Sequence, residues 1–118
     1  VTPTRIQRRR TPGWRTPADT VIVSRPSRFG NPFTLAMAYE LGYAQHGDAE
    51  QARKAAVGAF TDWLRGNRNM WQSEEGDRAR QRILDGLPSL RGKNLACYCP
   101  DGAPCHADVL IELANREG

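Results

Sequence analysis

Two short runs in this chain have the composition of buried strands, and a long helical stretch separates them. Thr20-Val21-Ile22-Val23-Ser24 is β-branched and apolar, and Lys93 to Tyr98 carries Leu95, Ala96 and Cys97 in a second such run. Strands joined through helices are predicted to lie parallel, in the right-handed β-α-β connection that strand twist favours. That leaves a narrow choice of fold: a small single α/β domain, with a short parallel β-α-β (Rossmann-like) sheet core and helices packed on it. The arrangement also bears on function. In open parallel sheets the ligand crevice lies beyond the carboxyl ends of the strands. The loop after the first run, Arg25 to Phe33, and the loop after the second, Cys99 to Pro104, are therefore expected to meet on one edge.

The intervening helices announce themselves by caps and periodicity. Thr34 is expected to cap a short helix carrying Leu35, Met37, Ala38 and Leu41, ending near Gly42. Asp48 opens a longer one through Leu64, with Ala52, Ala56, Ala59, Phe60, Trp63 and Leu64 forming its apolar stripe. A third is expected from about Ser73 to Leu87. There only Ile83, Leu84 and Leu87 face inward, and Glu74, Glu75, Asp77, Arg78, Arg80 and Arg82 form a solvated face. Pro88 and Gly92 are expected to close it. The last helix is expected over Cys105 to Arg116, burying Val109, Leu110 and Leu113.

Composition excludes several classes. A chain of 118 residues, 39% hydrophobic, suffices for one core and not for two. The mean hydropathy of -0.64 and the lack of a long apolar run argue against membrane insertion, and no secretory leader pattern is present. A reducing cytoplasm is the expected setting, because three clustered cysteines do not make a disulfide framework.

The net charge of +4 is concentrated early. Arg5, Arg8, Arg9, Arg10, Arg15, Arg25 and Arg28 precede Gly30, with Asp19 the only acid among them. Residues 1–19 read as a basic, extended N-terminal arm ahead of a compact α/β domain at 20–118. Arg5, Arg8, Arg9, Arg10 and Arg15 of this arm are candidates for nucleic-acid contact. The plainer alternative is an arm packed on its own domain, for which Trp14, Pro12 and Pro17 speak.

At these residues the chain resembles a known family. Arg5-Ile6-Gln7-Arg8-Arg9-Arg10-Thr11 through Gly13-Trp14-Arg15, then Thr20 to Ser27, Gly30-Asn31-Pro32-Phe33, the Cys-aromatic-Cys segment and Pro104-Cys105-His106-Ala107-Asp108-Val109-Leu110 follow its pattern in order. The family is that of domain of unknown function 4326, from bacteria and their phages. Tyr98 and Phe29 stand where the family usually has Trp. The resemblance implies a bacterial host cytoplasm and brings no activity with it. It also admits a phage-type protein that binds a host protein partner.

The chemistry-bearing residues cluster. All three cysteines, Cys97, Cys99 and Cys105, fall in one strand-loop-helix stretch beside His106. Cys97 and Cys99 share a strand face by the period-two rule, and the three thiols with His106 make a set suited to Zn²⁺. The spacing departs from zinc-knuckle patterns, however, and neighbouring Cys105 and His106 are expected to diverge at a helix start. Cys97 is equally readable as a small apolar core residue.

A second reading makes the start of the last helix an anion site. Cys105, His106 and Asp108 would bind from one side, and Arg25, Ser27, Arg28, Gly30 and Asn31 from the other. Cys99, Cys105, His106 and Asp108 are the candidates for any catalytic role, with Cys99–His106 the easier thiol–imidazole pair. The leading expectation is a phosphorylated ligand, nucleotide or nucleic acid, held in this crevice and acted on if the site is catalytic. The alternative is a non-enzymatic, zinc-stapled module that touches nucleic acid through its arm.

Overall fold

The computed structural model describes residues 3–100 and 102–116. Its sheet has three parallel strands, β1 (Arg5–Gln7), β2 (Thr20–Ile22) and β3 (Asn94–Cys97), in the order β1-β3-β2. The two predicted strands are present and parallel, with Val21 opposite Leu95 and Ile22 opposite Ala96. The ladder reaches one residue further through Val23 N–H donating to the Ala96 carbonyl at 3.0 Å.

The third strand lies inside the stretch read as an extended arm. Arg5 pairs with Leu95, Ile6 with Ala96 and Gln7 with Cys97, so residues 5–7 belong to the sheet of the domain and do not stand ahead of it. Ile6 alone is apolar there, too little for a strand pattern. What makes the strand is the unpaired edge of β3, whose backbone groups need partners. Residues 8–19 then carry the chain back to the start of β2. That is about the dozen residues a parallel crossover requires, here with no helix among them.

Among the described residues there are four helices, and three of them start from side-chain caps at the expected places. The Thr34 hydroxyl accepts from Met37 N–H at 3.1 Å to start α1 (Leu35–Glu40). The Asp48 carboxylate accepts from Gln51 N–H at 3.0 Å to start α2 (Ala49–Leu64). Ser73 caps α3 (Glu74–Leu90) through Gly76 N–H at 3.0 Å. A single 3-10 turn at Arg68–Met70 links α2 to α3, and α4 (His106–Asn115) closes the chain.

Of the predicted stripe on α2, Ala52, Ala56, Phe60, Trp63 and Leu64 are buried, and Ala59 is half-buried against them. Helix α3 runs past the expected stop at Pro88. Pro88 lacks the N–H that would bond the Leu84 carbonyl, a loss offset by the extra turn, which buries Leu90 to 1% exposure.

Phe60, Trp63, Ile83, Leu90, Leu95 and Leu110 are the largest side chains sealed in the core between sheet and helices. The ring of Phe33 meets Trp63 edge-on at 5.7 Å, which anchors the loop after β2 to α2. No helix among the described residues is long and apolar enough to cross a membrane.

Candidate functional site

The loops after β2 and β3 do meet. A cavity of about 330 Å³ opens at the carboxyl edge of the sheet. Ser24, Arg25 and Asn31 stand on one side of it and Cys97, Tyr98, Cys99, Pro104, Cys105 and His106 on the other. Helix α2 contributes Arg53, Ala56 and Val57, and the crossover after β1 contributes Arg10. Parallel strands make this convergence inevitable, since both loops leave from the same end.

The floor is a thiol cluster. The Sγ atoms of Cys97, Cys99 and Cys105 all lie within 4.8 Å of one another. Cys99 does not share a strand face with Cys97, because β3 ends at Cys97 and the chain bends at Tyr98 and Cys99. The bend brings the two sulfurs to 3.8 Å, closer than two positions along an extended strand would be. Such a triad could hold a metal ion. The neighbours Cys105 and His106 converge, against the expected divergence. Cys105 is the N-cap of α4 with extended backbone (φ −150°, ψ 141°), and His106 begins the helix. The change of backbone state between them turns Sγ and Nδ1 toward each other, 3.8 Å apart.

The imidazole is buried and fixed. His106 Nε2 sits 2.9 Å from the Val23 carbonyl oxygen, and the Phe60 ring meets it edge-on at 5.3 Å. A carbonyl only accepts, so Nε2 is the donor in this contact, and in the neutral ring the lone pair is then on Nδ1. Among the thiols the charge settles unevenly. Cys97 is pushed far down, because Cys105 first and Cys99 second donate S–H to its sulfur. Cys105 is pushed up as the donor to Cys97 and Cys99, with burial adding to the rise.

Arg5 holds the loop over this floor. From β1 its guanidinium donates to the Ala103 carbonyl at 2.7 Å and to the Pro100 carbonyl at 3.1 Å, and pairs with Asp108 at 3.3 Å. Burial alone would weaken its charge, but contact with Cys105 and the Asp108 carboxylate outweighs that and its pKa is raised. Of the residues read as nucleic-acid contacts, Arg5 is thus committed inside the domain. Arg8 donates to Ser24 Oγ at 2.9 Å. The Arg8 and Arg10 guanidinium carbons each lie 4.5 Å from the centre of the Tyr98 ring. Arg9, Arg10 and Arg15 are exposed.

The other expected ligand residues divide. Arg25 and Asn31 line the cavity, but the Asn31 amide also serves the fold, donating to the Ala56 carbonyl at 3.1 Å and accepting from Phe33 N–H at 2.9 Å. Ser27, Arg28, Gly30 and Asp108 are not in the cavity wall. Ser27 Oγ accepts from Phe29 N–H. Arg28 covers the Phe29 ring and lies against Gly86 of α3.

Gly30 admits its own chain: a Cβ there would sit 2.8 Å from Arg25 Cγ. Asp108, more than half exposed, is turned to Arg5. Arg53 escaped the sequence reading because it sits within a helical charge pattern. Its spacing, three residues before Ala56 and seven before Phe60, was the available signal that it borders the buried face.

The model of a family described as a domain of unknown function, DUF4326, matches residues 6–116. Neither a curated protein nor a solved structure matches the chain.

Proposed function

For this chain, which belongs to the DUF4326 family, we propose that the crevice at the carboxyl edge of the sheet binds a phosphorylated ligand of nucleotide size. One observation carries the reading: Arg10, Arg25 and Arg53 line the cavity, and among the described residues no carboxylate does. Among the described residues Arg53 has no ion-pair partner, and one Arg25 nitrogen is tied to the Asn31 carbonyl at 2.8 Å. Guanidinium groups converging on a concave site suit phosphate oxygens, which they grip through paired N–H donors. The volume lies in the range of small-molecule sites. Phe33, Leu35 and Val57 give the same cavity an apolar side for a sugar or base. Cys99, Cys105 and His106 would lie beneath the bound ligand.

Calorimetric titration with nucleoside monophosphates, nucleoside diphosphates and inorganic phosphate tests this. Binding by at least one of them is expected. Arg25→Ala and Arg53→Ala are each expected to weaken it by about tenfold or more, as loss of a charge-assisted hydrogen bond does. Absence of binding by all three classes, or arginine variants that bind as the parent does, would overturn the reading.

A second reading keeps the thiol cluster as a structural zinc staple and gives nucleic acid to the basic crossover. It is favoured by Arg9, Arg10 and Arg15, exposed on one connection. Here mobility shifts with DNA and RNA at two salt concentrations should show binding that weakens as salt rises. Joint replacement of these three arginines should abolish it. Retention of a salt-insensitive complex by the triple variant would reject the reading.

A further inference from the structure

We propose that Cys97, Cys99, Cys105 and His106 form a closed Cys₃His zinc centre, with His106 Nδ1 as the fourth ligand. Zinc–sulfur bonds of about 2.3 Å at tetrahedral angles place two sulfurs about 3.8 Å apart. Cys97 and Cys99 stand at 3.8 Å, and all three sulfurs lie within 4.8 Å, so bringing the sulfurs onto one ion asks for movements of about 1 Å or less, while the imidazole, which lies outside that group of three, must move in further. A sulfur and a nitrogen on one zinc are about 3.6 Å apart; Cys105 Sγ and His106 Nδ1 are at 3.8 Å.

The surroundings are prepared for the ion. The Val23 carbonyl accepts from Nε2, which in the neutral ring leaves the Nδ1 lone pair on the side of Cys105 Sγ. Orientation of a ligating imidazole by a backbone carbonyl on its other nitrogen is the usual outer-shell arrangement. Three thiolates and Zn²⁺ leave one negative charge, and the Arg5 guanidinium, bound to the Pro100 and Ala103 carbonyls between Cys99 and Cys105, is a cation at hand to balance it.

Other uses of the cluster fit less well. Cys97 and Cys105 are 6% and 1% exposed, unlike the accessible thiols of nucleophilic sites. A disulfide couple of Cys97 and Cys99 would leave Cys105 and the oriented imidazole without a part.

Four protein ligands leave no position for the crevice ligand, so this zinc is structural. It ties the end of β3, the 99–104 loop and the first turn of α4 together, and through the imidazole it reaches the chain just after β2. The crevice floor is thereby fixed. The inference deepens the zinc staple of the second reading and rests on that part of it alone; it stands without the anion reading or the nucleic-acid contact, since metal content, phosphate binding and mobility shifts are measured separately.

Elemental analysis of the full chain, purified without added zinc or chelator, is expected to find one zinc per chain. Exchange with cobalt is expected to give the strong visible bands of a tetrahedral ion with thiolate charge transfer. Thiol titration should find the cysteines protected until a chelator is added. Cys99→Ser and His106→Ala are each expected to weaken zinc by more than about a hundred-fold, beyond what loss of an outer-shell partner costs. His106→Cys, which restores a fourth ligand, should keep the metal. Substoichiometric zinc with thiols equally reactive before and after chelator would overturn the proposal for the parent chain, whatever the variants' folding. A His106→Ala protein that binds zinc as tightly as the parent would overturn the fourth ligand.

Discussion

Phe60→Ala is expected to destabilise the domain by about 3–5 kcal/mol, the cost of deleting a sealed aromatic ring and leaving a cavity. Phe60 is 0% exposed. Its ring centre lies 6.1 Å from that of Trp63 and 5.3 Å from that of His106, so it joins the helical side of the core to the floor of the crevice. Phe60→Leu fills most of the volume and should cost about 1.5 kcal/mol or less. Urea denaturation followed by far-UV circular dichroism measures both. A loss below about 1 kcal/mol for the alanine variant would mean that the core collapses around the gap, and that Phe60 is not its packing centre. Because the ring also backs the imidazole, crevice binding should weaken in Phe60→Ala even at temperatures where the protein remains folded.

The second large effect is expected at Arg5. Its side chain is only 10% exposed, whereas that of Asp108 is 57% exposed, so the ion pair with Asp108 contributes little. The two bonds to the Ala103 and Pro100 carbonyls matter more, since each joins a charged donor to a loop carbonyl. Arg5→Ala should therefore cost about 2–3 kcal/mol and free the loop between β3 and α4. Arg5→Lys should recover less than half of that, because one ammonium cannot reproduce the planar fork that spans both carbonyls. Asp108→Asn should be nearly silent. Denaturation midpoints of the three variants test the ranking, and hydrogen exchange at the Gly102, Ala103 and Cys105 amides tests the loop. An Arg5→Ala protein as stable as Asp108→Asn would show that the clamp is ornamental.

These two residues show how unevenly the molecule could be read in advance. Phe60 lies on a stripe of helical period, and its burial was legible because amphipathic spacing leaves only one face for the core. Arg5 was placed in a basic arm, as charge and prolines suggest. It sits instead on an edge strand with a single apolar residue, where the vacancy beside β3 and not local propensity decides the structure.

The same contrast runs through the site. Arg25, Asn31 and the cysteines were expected on one edge and are found there, because parallel topology alone dictates it. Gly30 and Ser27 were read as ligand contacts and serve their own loop, since turn chemistry and anion binding use the same residue types. Arg53 and Arg10 reach the cavity from a helix and a crossover, a placement that no motif records.

Two strands and the helices between them were enough to fix the parallel pairing of β2 with β3 and the edge on which the loaded loops meet, though not the third strand, β1. Those features follow from periodicity and connection geometry, which are local properties of a chain. The sequence could not decide whether Cys105 and His106 diverge or converge, or which arginines face the crevice and which clamp the loop. Both depend on side-chain direction, set by backbone angles at one helix cap and by contacts among residues about ninety positions apart. Only the packed structure assigns those, because the energy that chooses them belongs to neighbours brought together by folding.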